Sequence, residues 1–419
     1  MSGSDFEVVV VGGGAAGIAA ARKLGDAGVN ALIVEARDRL GGRAWTVATD
    51  AIFPVDLGCG WLHSADRNPW RAMAEAEGYT VDRTPPPWSR PALPRGSPSP
   101  AHAAFGEAIG SFREKLASFP EGEADRPASA FLEPHGRWNG LLDAVSTFYS
   151  GAELDRISTR DLSRYADSGV NWRVVEGYGT LVAGRGAGLA AKLGCSVQRV
   201  DRRGKRLRID TMDGPIAADF VIVTLPTNLI AADEGLFLPG LPDKTAAAAG
   251  LPLGLADKLF LSLSGAEEFR DESRTFGRMD RAATGAYHFR PFGRPEIEAY
   301  FGGELARSLE AGGEAAFVDF ADAELVGIFG SDFAGRVKPL AFHAWGSDPL
   351  AQGSYSYAIP GRADDRAKLA TPVDDRLFFA GEACSTTDYS TAHGAWLSGV
   401  ETAGQVIALR GGRRASAQT

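Results

Sequence analysis

An α/β fold is predicted from three features at the start of the chain. Residues 6–11 (FEVVVV) make a short apolar run rich in valine, the pattern of a strand buried on both faces of a parallel sheet. Residues 15–27 (AAGIAAARKLGDA) combine strong helix formers with small residues, and Gly28 can close that helix. Residues 31–34 (ALIV) read as a second strand. Strand, glycine-rich turn, helix and strand in that order form a βαβ unit, which requires a right-handed crossover and a parallel sheet.

The rest of the chain divides by composition. Residues 83–100 (RTPPPWSRPALPRGSPSP) hold too much proline for regular structure and are expected to be a long loop or a domain boundary. Residues 101–165 are expected to be mainly helical, from stretches such as AAFGEAIGSFREKLASF and LLDAVSTFYSG. Strands return over residues 196–226, where Arg-Gly-Lys and Asp-Gly turns punctuate alternating segments before the buried run FVIVTLP. DKLFLSL and IEAYF predict further strands within residues 251–342, and no repeat of constant period is present.

With 419 residues, the chain is long enough for at least two domains. Its net charge of −9 leaves no excess of cations to neutralise phosphates, so nucleic acid is not an expected partner. Cys59, Cys195 and Cys384 are odd in number and lack CxxC spacing; neither a disulfide framework nor a metal site is expected, and a reducing, cytoplasmic compartment fits. The run at residues 8–11 is too short for a signal peptide, and no stretch reaches the length of a membrane span. The 52 glycines call for a cause.

One cause lies at Gly12-Gly13-Gly14-Ala15-Ala16-Gly17, a GxGxxG turn between strand and helix. There Gly12 permits the tight turn, Gly14 lets backbone approach a pyrophosphate, and Gly17 lets helix and strand pack closely. The helix N-terminus then presents its partial positive charge to the phosphates. Glu35, at the end of the second strand, can accept hydrogen bonds from ribose hydroxyls and would repel the extra phosphate of NADP. This motif alone leaves NAD and FAD open.

Directly after Glu35 come ARDRLGGR (residues 36–43) and DLGCGWLHSADRNPW (56–70), and near the end FFAGEACSTTDYSTAHGAWLSGVETAG (378–404). Together these segments resemble the flavin-containing amine oxidases: monoamine oxidases, polyamine and spermine oxidases, and related histone demethylases. The resemblance implies a Rossmann-like FAD-binding domain built from discontinuous segments, with an inserted α+β substrate domain. The composition shifts place the first over residues 1–82, 171–250 and 343–419, and the second over 83–170 and 251–342.

Residue by residue, the resemblance assigns Gly41, Gly42 and Arg43 to a second glycine motif along the pyrophosphate and ribityl chain. Val197 would contact adenine through its backbone, and Gly58, Gly60 and Trp61 would run beside the flavin ring. Glu382, after Gly381, would hydrogen-bond a cofactor hydroxyl. Ala15, Ala16, Ala36, Arg37, Thr391 and Ala392 complete the cofactor surface, the last two at the start of a helix over residues 392–408 whose N-terminus would favour charge on the reduced flavin. Lys258 matches the lysine that holds a water against the reactive flavin nitrogen; exposure on an edge strand is the alternative. Tyr355 and Trp396 match an aromatic cage, with tryptophan replacing the commoner tyrosine, and His63 matches a histidine facing the substrate channel. Ser354 stands where monoamine oxidases carry the cysteine that binds FAD covalently, so noncovalent FAD is expected.

The function implied is oxidation of a small-molecule amine by hydride transfer to FAD, with O2 reduced to hydrogen peroxide. A polyamine-like substrate is preferred, although no acidic side chain for a second ammonium is identifiable. A flavin-dependent desaturase or dehydrogenase and a non-catalytic flavin-bound interaction protein stay open. The protein is expected to be a monomer or homodimer.

Overall fold

The computed structural model describes residues 6–51, 53–89, 93–232 and 235–418, with side chains to residue 412. Residues 90–92 of the proline-rich segment and residues 1–5 lie outside the described set. The chain divides into two compact units: Met1–Trp45, Gly179–Pro252 and Arg362–Thr419 form one, and Thr46–Tyr178 and Leu253–Gly361 the other. The division is discontinuous; against the boundaries drawn from composition, residues 46–82, 171–178 and 343–361 group with the second unit and residues 251–252 with the first.

In the first unit, the valine run forms the strand Val8–Val11, two residues shorter at its start than predicted. It pairs in parallel with Ala31–Val34 on one side and with Phe220–Val223 on the other. Ala191–Lys192 and Leu377–Phe379 extend this five-stranded parallel sheet at its two edges. Val8–Val11 and Phe220–Val223 are buried throughout because both sheet faces are covered, which explains runs without polar alternation. The first connection leads from the central strand to one side while Phe220–Val223 lies on the other, so the strand order reverses at the C-terminal end of Val8–Val11.

Helix Ala15–Asp26 follows the glycine turn, ending at Ala27 with Gly28 in the left-handed region. The C-terminal helix Ala392–Gln418 runs ten residues beyond the predicted end and packs along it. Contact is backbone-close: a Cβ on Gly399 would lie 2.2 Å from the Ala16 carbonyl oxygen. Small residues on both helices thus bring the chain's two ends together. Val197–Asp201, Leu207–Thr211 and Gly214–Ala218 form antiparallel pairs joined at the two predicted turns.

The second unit holds a helical layer and an antiparallel sheet. Helices Pro100–Ala117, Asn139–Ser150 and Thr159–Arg164 confirm the helical reading, and Phe105, Phe112, Leu116, Leu141 and Leu142 share one core. Sheet order is Ser273–Phe276, Ala286–Phe289, Glu296–Gly302, Ala256–Leu263, Val337–Phe342. One face is mainly apolar, with buried Asp257 opposite Phe301: Phe301 and Phe342 meet Phe317 of helix Gly313–Phe329 at ring distances of 5.3 and 4.6 Å. Lys258, Glu298, Tyr300 and His288 occupy the other, as the registers Lys258↔Tyr300 and His288↔Glu298 require.

The described part of the proline-rich segment has no helix or strand before Pro100 and is anchored by its side chains. Trp88 meets Trp61 edge-on at 4.5 Å, and Arg95 pairs with Glu268 and lies 4.2 Å from the Phe269 ring. No helix among the described residues is long and apolar enough to cross a membrane.

Candidate functional site

In the first unit the glycine turn is built for close backbone approach. A Cβ on Gly17 would fall 2.0 Å from the Gly12 carbonyl oxygen, so only glycine lets the helix start there. The second glycine motif abuts the first: Gly41 N–H donates to the Gly13 carbonyl at 2.8 Å, and Gly14 and Gly41 form a parallel bridge. Gly42 adopts φ +60°, with its α-carbon face toward Gly14. Ala15 and Ala16, both buried, open the helix behind an N-cap, Gly14, that carries no side chain to satisfy the first N–H groups. An uncapped helix start beside two glycine turns fits a bound diphosphate.

Glu35 is buried at the end of its strand. Its Oε2 accepts the Gly13 N–H at 2.6 Å and its Oε1 the Arg37 N–H at 2.7 Å. The carboxylate therefore shapes the turn it was expected to serve, and each oxygen retains a second lone pair for a ribose hydroxyl. Ala36 and Arg37 continue this edge, with the Arg37 carbonyl accepting from Gly194 N–H at 2.7 Å. Val197 starts the strand Val197–Asp201 of a separate sheet, half-buried and opposite Thr211.

Arg43 and Glu382 are joined at 3.0 Å between Nη1 and Oε1. Glu382 Oε2 also accepts the Ser390 N–H at 2.9 Å, and Gly381 N–H donates to Ser398 Oγ at 2.8 Å. Thr391 caps the C-terminal helix, its Oγ1 accepting the Gly394 N–H at 2.9 Å, and Ala392 is the first helical residue. Trp396, buried one turn later, has the Arg185 guanidinium 5.7 Å from its ring.

The remaining predicted residues belong to the second unit. Lys258 lies on an interior strand, not an edge, and its side chain is 11% exposed. Its Nζ pairs with Glu298 Oε1 at 2.9 Å and donates to the Asp56 carbonyl at 3.0 Å. A Cβ on Gly60 would lie 3.1 Å from that nitrogen, so Gly60 leaves it room, while Gly58 lies in the same turn after Pro54–Asp56. Trp61 donates from Nε1 to Tyr300 Oη at 3.4 Å and stacks on His288.

Sequence reasoning missed the buried polar side chains around Lys258. Glu298 faces His288 Nδ1 at 3.7 Å, His288 Nε2 meets Glu272 Oε2 at 2.8 Å, and Glu272 pairs with Arg173. Burial pushes the Glu298 carboxyl up, but Lys258 charge and contacts with His288 and Tyr300 outweigh it and hold it well below the usual range. Glu272 ends at about 2 by the same contest, with His288 and Arg173 and the Phe292 N–H opposing burial. Glu296, two residues before Glu298, is pushed up to about 8: burial dominates over the nearby Arg294 charge, and Glu298 adds to the rise. The signal was present in PEIEAYF, where two carboxylates two residues apart interrupt an apolar strand.

His63 Nδ1 meets Asn171 Oδ1 at 2.6 Å. Tyr355 donates from Oη to the Phe148 carbonyl at 2.6 Å, and burial raises its phenol above the ordinary value. Ser354 Oγ donates to the Ala256 carbonyl at 2.8 Å and accepts the Ala256 N–H at 2.9 Å.

Comparison with known proteins places nearly the whole chain. The family described as flavin containing amine oxidoreductase matches residues 15–407. Polyamine oxidase 2 of Arabidopsis thaliana is 30% identical, and polyamine oxidase 4 of Oryza sativa subsp. japonica 28%; each alignment covers 94% of this chain and 87% of the relative. Lysine-specific histone demethylase 1 homolog 2 of Arabidopsis thaliana is 27% identical over 97% of this chain but 59% of its own. With nearly its whole length matched, the chain belongs to the flavin-containing amine oxidoreductases.

Proposed function

We propose that the chain is an FAD-dependent amine oxidase with O2 as acceptor and a polyamine-like substrate. The observation that carries the reading is the double glycine cradle with an uncapped helix start, closed by the Arg43–Glu382 pair. The names of the plant relatives support the substrate class. Bound FAD would supply the two-electron acceptor, taking hydride from the carbon beside the amine nitrogen and passing the electrons to O2, while the imine hydrolyses to an aldehyde or ketone.

The chain's residues bind and orient. Gly12, Gly14, Gly17, Gly41 and Gly42 offer backbone to the diphosphate, and Arg43 offers a cation. Glu35 and Glu382 accept hydroxyl protons in hydrogen bonds, Val197 meets adenine, and Gly58, Gly60 and Trp61 line the ring's path. The aromatic faces of Tyr355 and Trp396 hold the uncharged amine and exclude water, and His63 lines its approach. Lys258 Nζ holds a water by its remaining N–H. Ser354 cannot form a thioether, so FAD is held noncovalently. A cytoplasmic monomer or homodimer completes the reading.

The test is an absorbance spectrum of the purified protein before and after anaerobic mixing with mono-, di- and polyamines, followed by air. Bleaching by an amine and peroxide release on aeration are expected. Bleaching without peroxide would replace oxidase by dehydrogenase, and a flavin that no amine bleaches would remove catalysis from the reading.

A further inference from the structure

We propose that Glu298 is a positioning residue that sets the direction of Lys258 Nζ, backed by a buried run of polar side chains from His288 through Glu272 to Arg173. The inference rests on the reading of Lys258 as part of the reaction machinery and deepens it.

The register makes the pair. Lys258 lies opposite Tyr300, and Glu298 opposite Phe260, so the two charged side chains are diagonal neighbours on one sheet face, within reach for long side chains. A lysine ammonium has three N–H donors on a flexible four-carbon stem. Glu298 Oε1 at 2.9 Å and the Asp56 carbonyl at 3.0 Å take two of them. The Tyr300 and Phe260 rings, with centroids 5.5 and 5.8 Å from Nζ, bound its flanks. Two fixed hydrogen bonds leave the third N–H one direction, which the stem alone would not define.

Glu298 is flanked in turn, its Oε2 lying 3.7 Å from His288 Nδ1. His288 sits between it and Glu272, and Arg173 closes the chain with Glu272 on one side and Asp82 at 3.2 Å on the other. The Arg173 guanidinium lies between two aromatic rings, 3.9 Å from Phe292 and 4.7 Å from Trp61. The side chains from Lys258 to Arg173 are all nearly buried. Carboxylates and cations buried in this way cost stability compared with apolar packing of the same volume, and the Lys258–Glu298 and Arg173–Glu272 pairs recover part of that cost. What the chain gains is a fixed geometry at Nζ.

The experiment compares flavin-loaded wild type with Glu298→Gln, Glu298→Asp, Lys258→Met and the Gln/Met double variant. For Glu298→Gln we expect unchanged flavin content, kcat lower by about tenfold or more and KM within about threefold. On the Lys258→Met background the same change should cost less than about twofold, because the partner it acts through is gone. The flavin midpoint potential gives a reading apart from turnover. Removing a negative charge in Glu298→Gln should raise it and removing a positive one in Lys258→Met should lower it, whereas a packing defect has no reason to produce opposite signs.

A Glu298→Gln variant with wild-type rate and potential, or one that slows equally without Lys258, overturns the proposal while leaving the Lys258 reading intact. Unchanged rates and potential in Lys258→Met overturn both. If Glu298→Gln does not fold, Glu298→Asp decides: it keeps the charge and shortens the reach, so it should lose rate with little change in potential, and full activity would refute positioning.

Discussion

Arg43 and Glu382 are 339 positions apart in sequence, and their side chains meet at 3.0 Å. The contact joins the second glycine motif to the start of the C-terminal motif within one unit, and Glu382 also accepts the Ser390 N–H. Glu382→Ala should therefore loosen both segments. We expect FAD affinity to fall by about tenfold or more, corresponding to ~1.4 kcal/mol or more. Fluorescence-quenching titration of the flavin-stripped protein measures it, and unchanged affinity would show that the pair does not support the cofactor.

Gly17→Ala should be more severe. The new methyl would overlap the Gly12 carbonyl oxygen, 2.0 Å away, and that obstacle is backbone rather than a flexible side-chain end. Overpacking of this kind costs about 1–3 kcal/mol. A lowered melting temperature together with a colourless preparation is expected, and a yellow protein of normal stability would contradict the tight-turn argument.

Tyr355 permits a separation of ring from hydroxyl. Its hydroxyl is committed to the Phe148 carbonyl at 2.6 Å, so the aromatic face is what it can offer an amine. Tyr355→Phe should retain kcat/KM within a few-fold and lose about 1 kcal/mol of stability from the unpaired carbonyl. Tyr355→Ala should lower kcat/KM far more. Equal losses in the two variants would assign the role to the hydroxyl.

Two buried glutamates near Lys258 and His288, Glu296 and Glu272, should give opposite pH signatures. Glu296, pushed up to about 8, stays protonated in the fold while its unfolded counterpart ionises near the ordinary carboxyl value. Its contribution is fully present below that value and is lost as pH rises through about 8. Glu272, drawn down to about 2, contributes above the ordinary value and loses that contribution as pH falls toward 2. Glu296→Gln should thus gain stability over wild type between about pH 5 and 8, by up to a few kcal/mol, and Glu272→Gln should flatten the acid limb. Chemical denaturation across pH 3–9 tests both, and parallel curves for wild type and the Glu296 variant would refute the first.

Much of the first unit could be read directly from residues because its signals are local. A buried valine strand, a glycine turn and a helix of small residues determine one another within thirty positions. The unit boundary could not be read that way. The hairpin of Thr46–Ala48 and Pro54–Asp56 shows no change in composition, yet Asp56 accepts the Tyr178 N–H at 2.9 Å and a Cβ on Gly177 would lie 2.3 Å from Thr46. Those contacts draw residues 46–82 into the second unit from over a hundred positions away. The partners of Lys258 were hidden for a similar reason: Glu298 and His288 become its neighbours only through strand register. The proline-rich segment gave composition without partners, and Trp88 against Trp61 shows what one part of it covers.

The close packing of Gly399 on Ala16 has a consequence for biogenesis. During translation the N-terminal helix emerges almost four hundred codons before the helix that covers it. At ordinary ribosomal speeds of about 5–20 residues per second, that interval lasts roughly 20–80 s. Throughout it the small-residue face of that helix stays uncovered, and its packing is completed only when synthesis delivers the last helix.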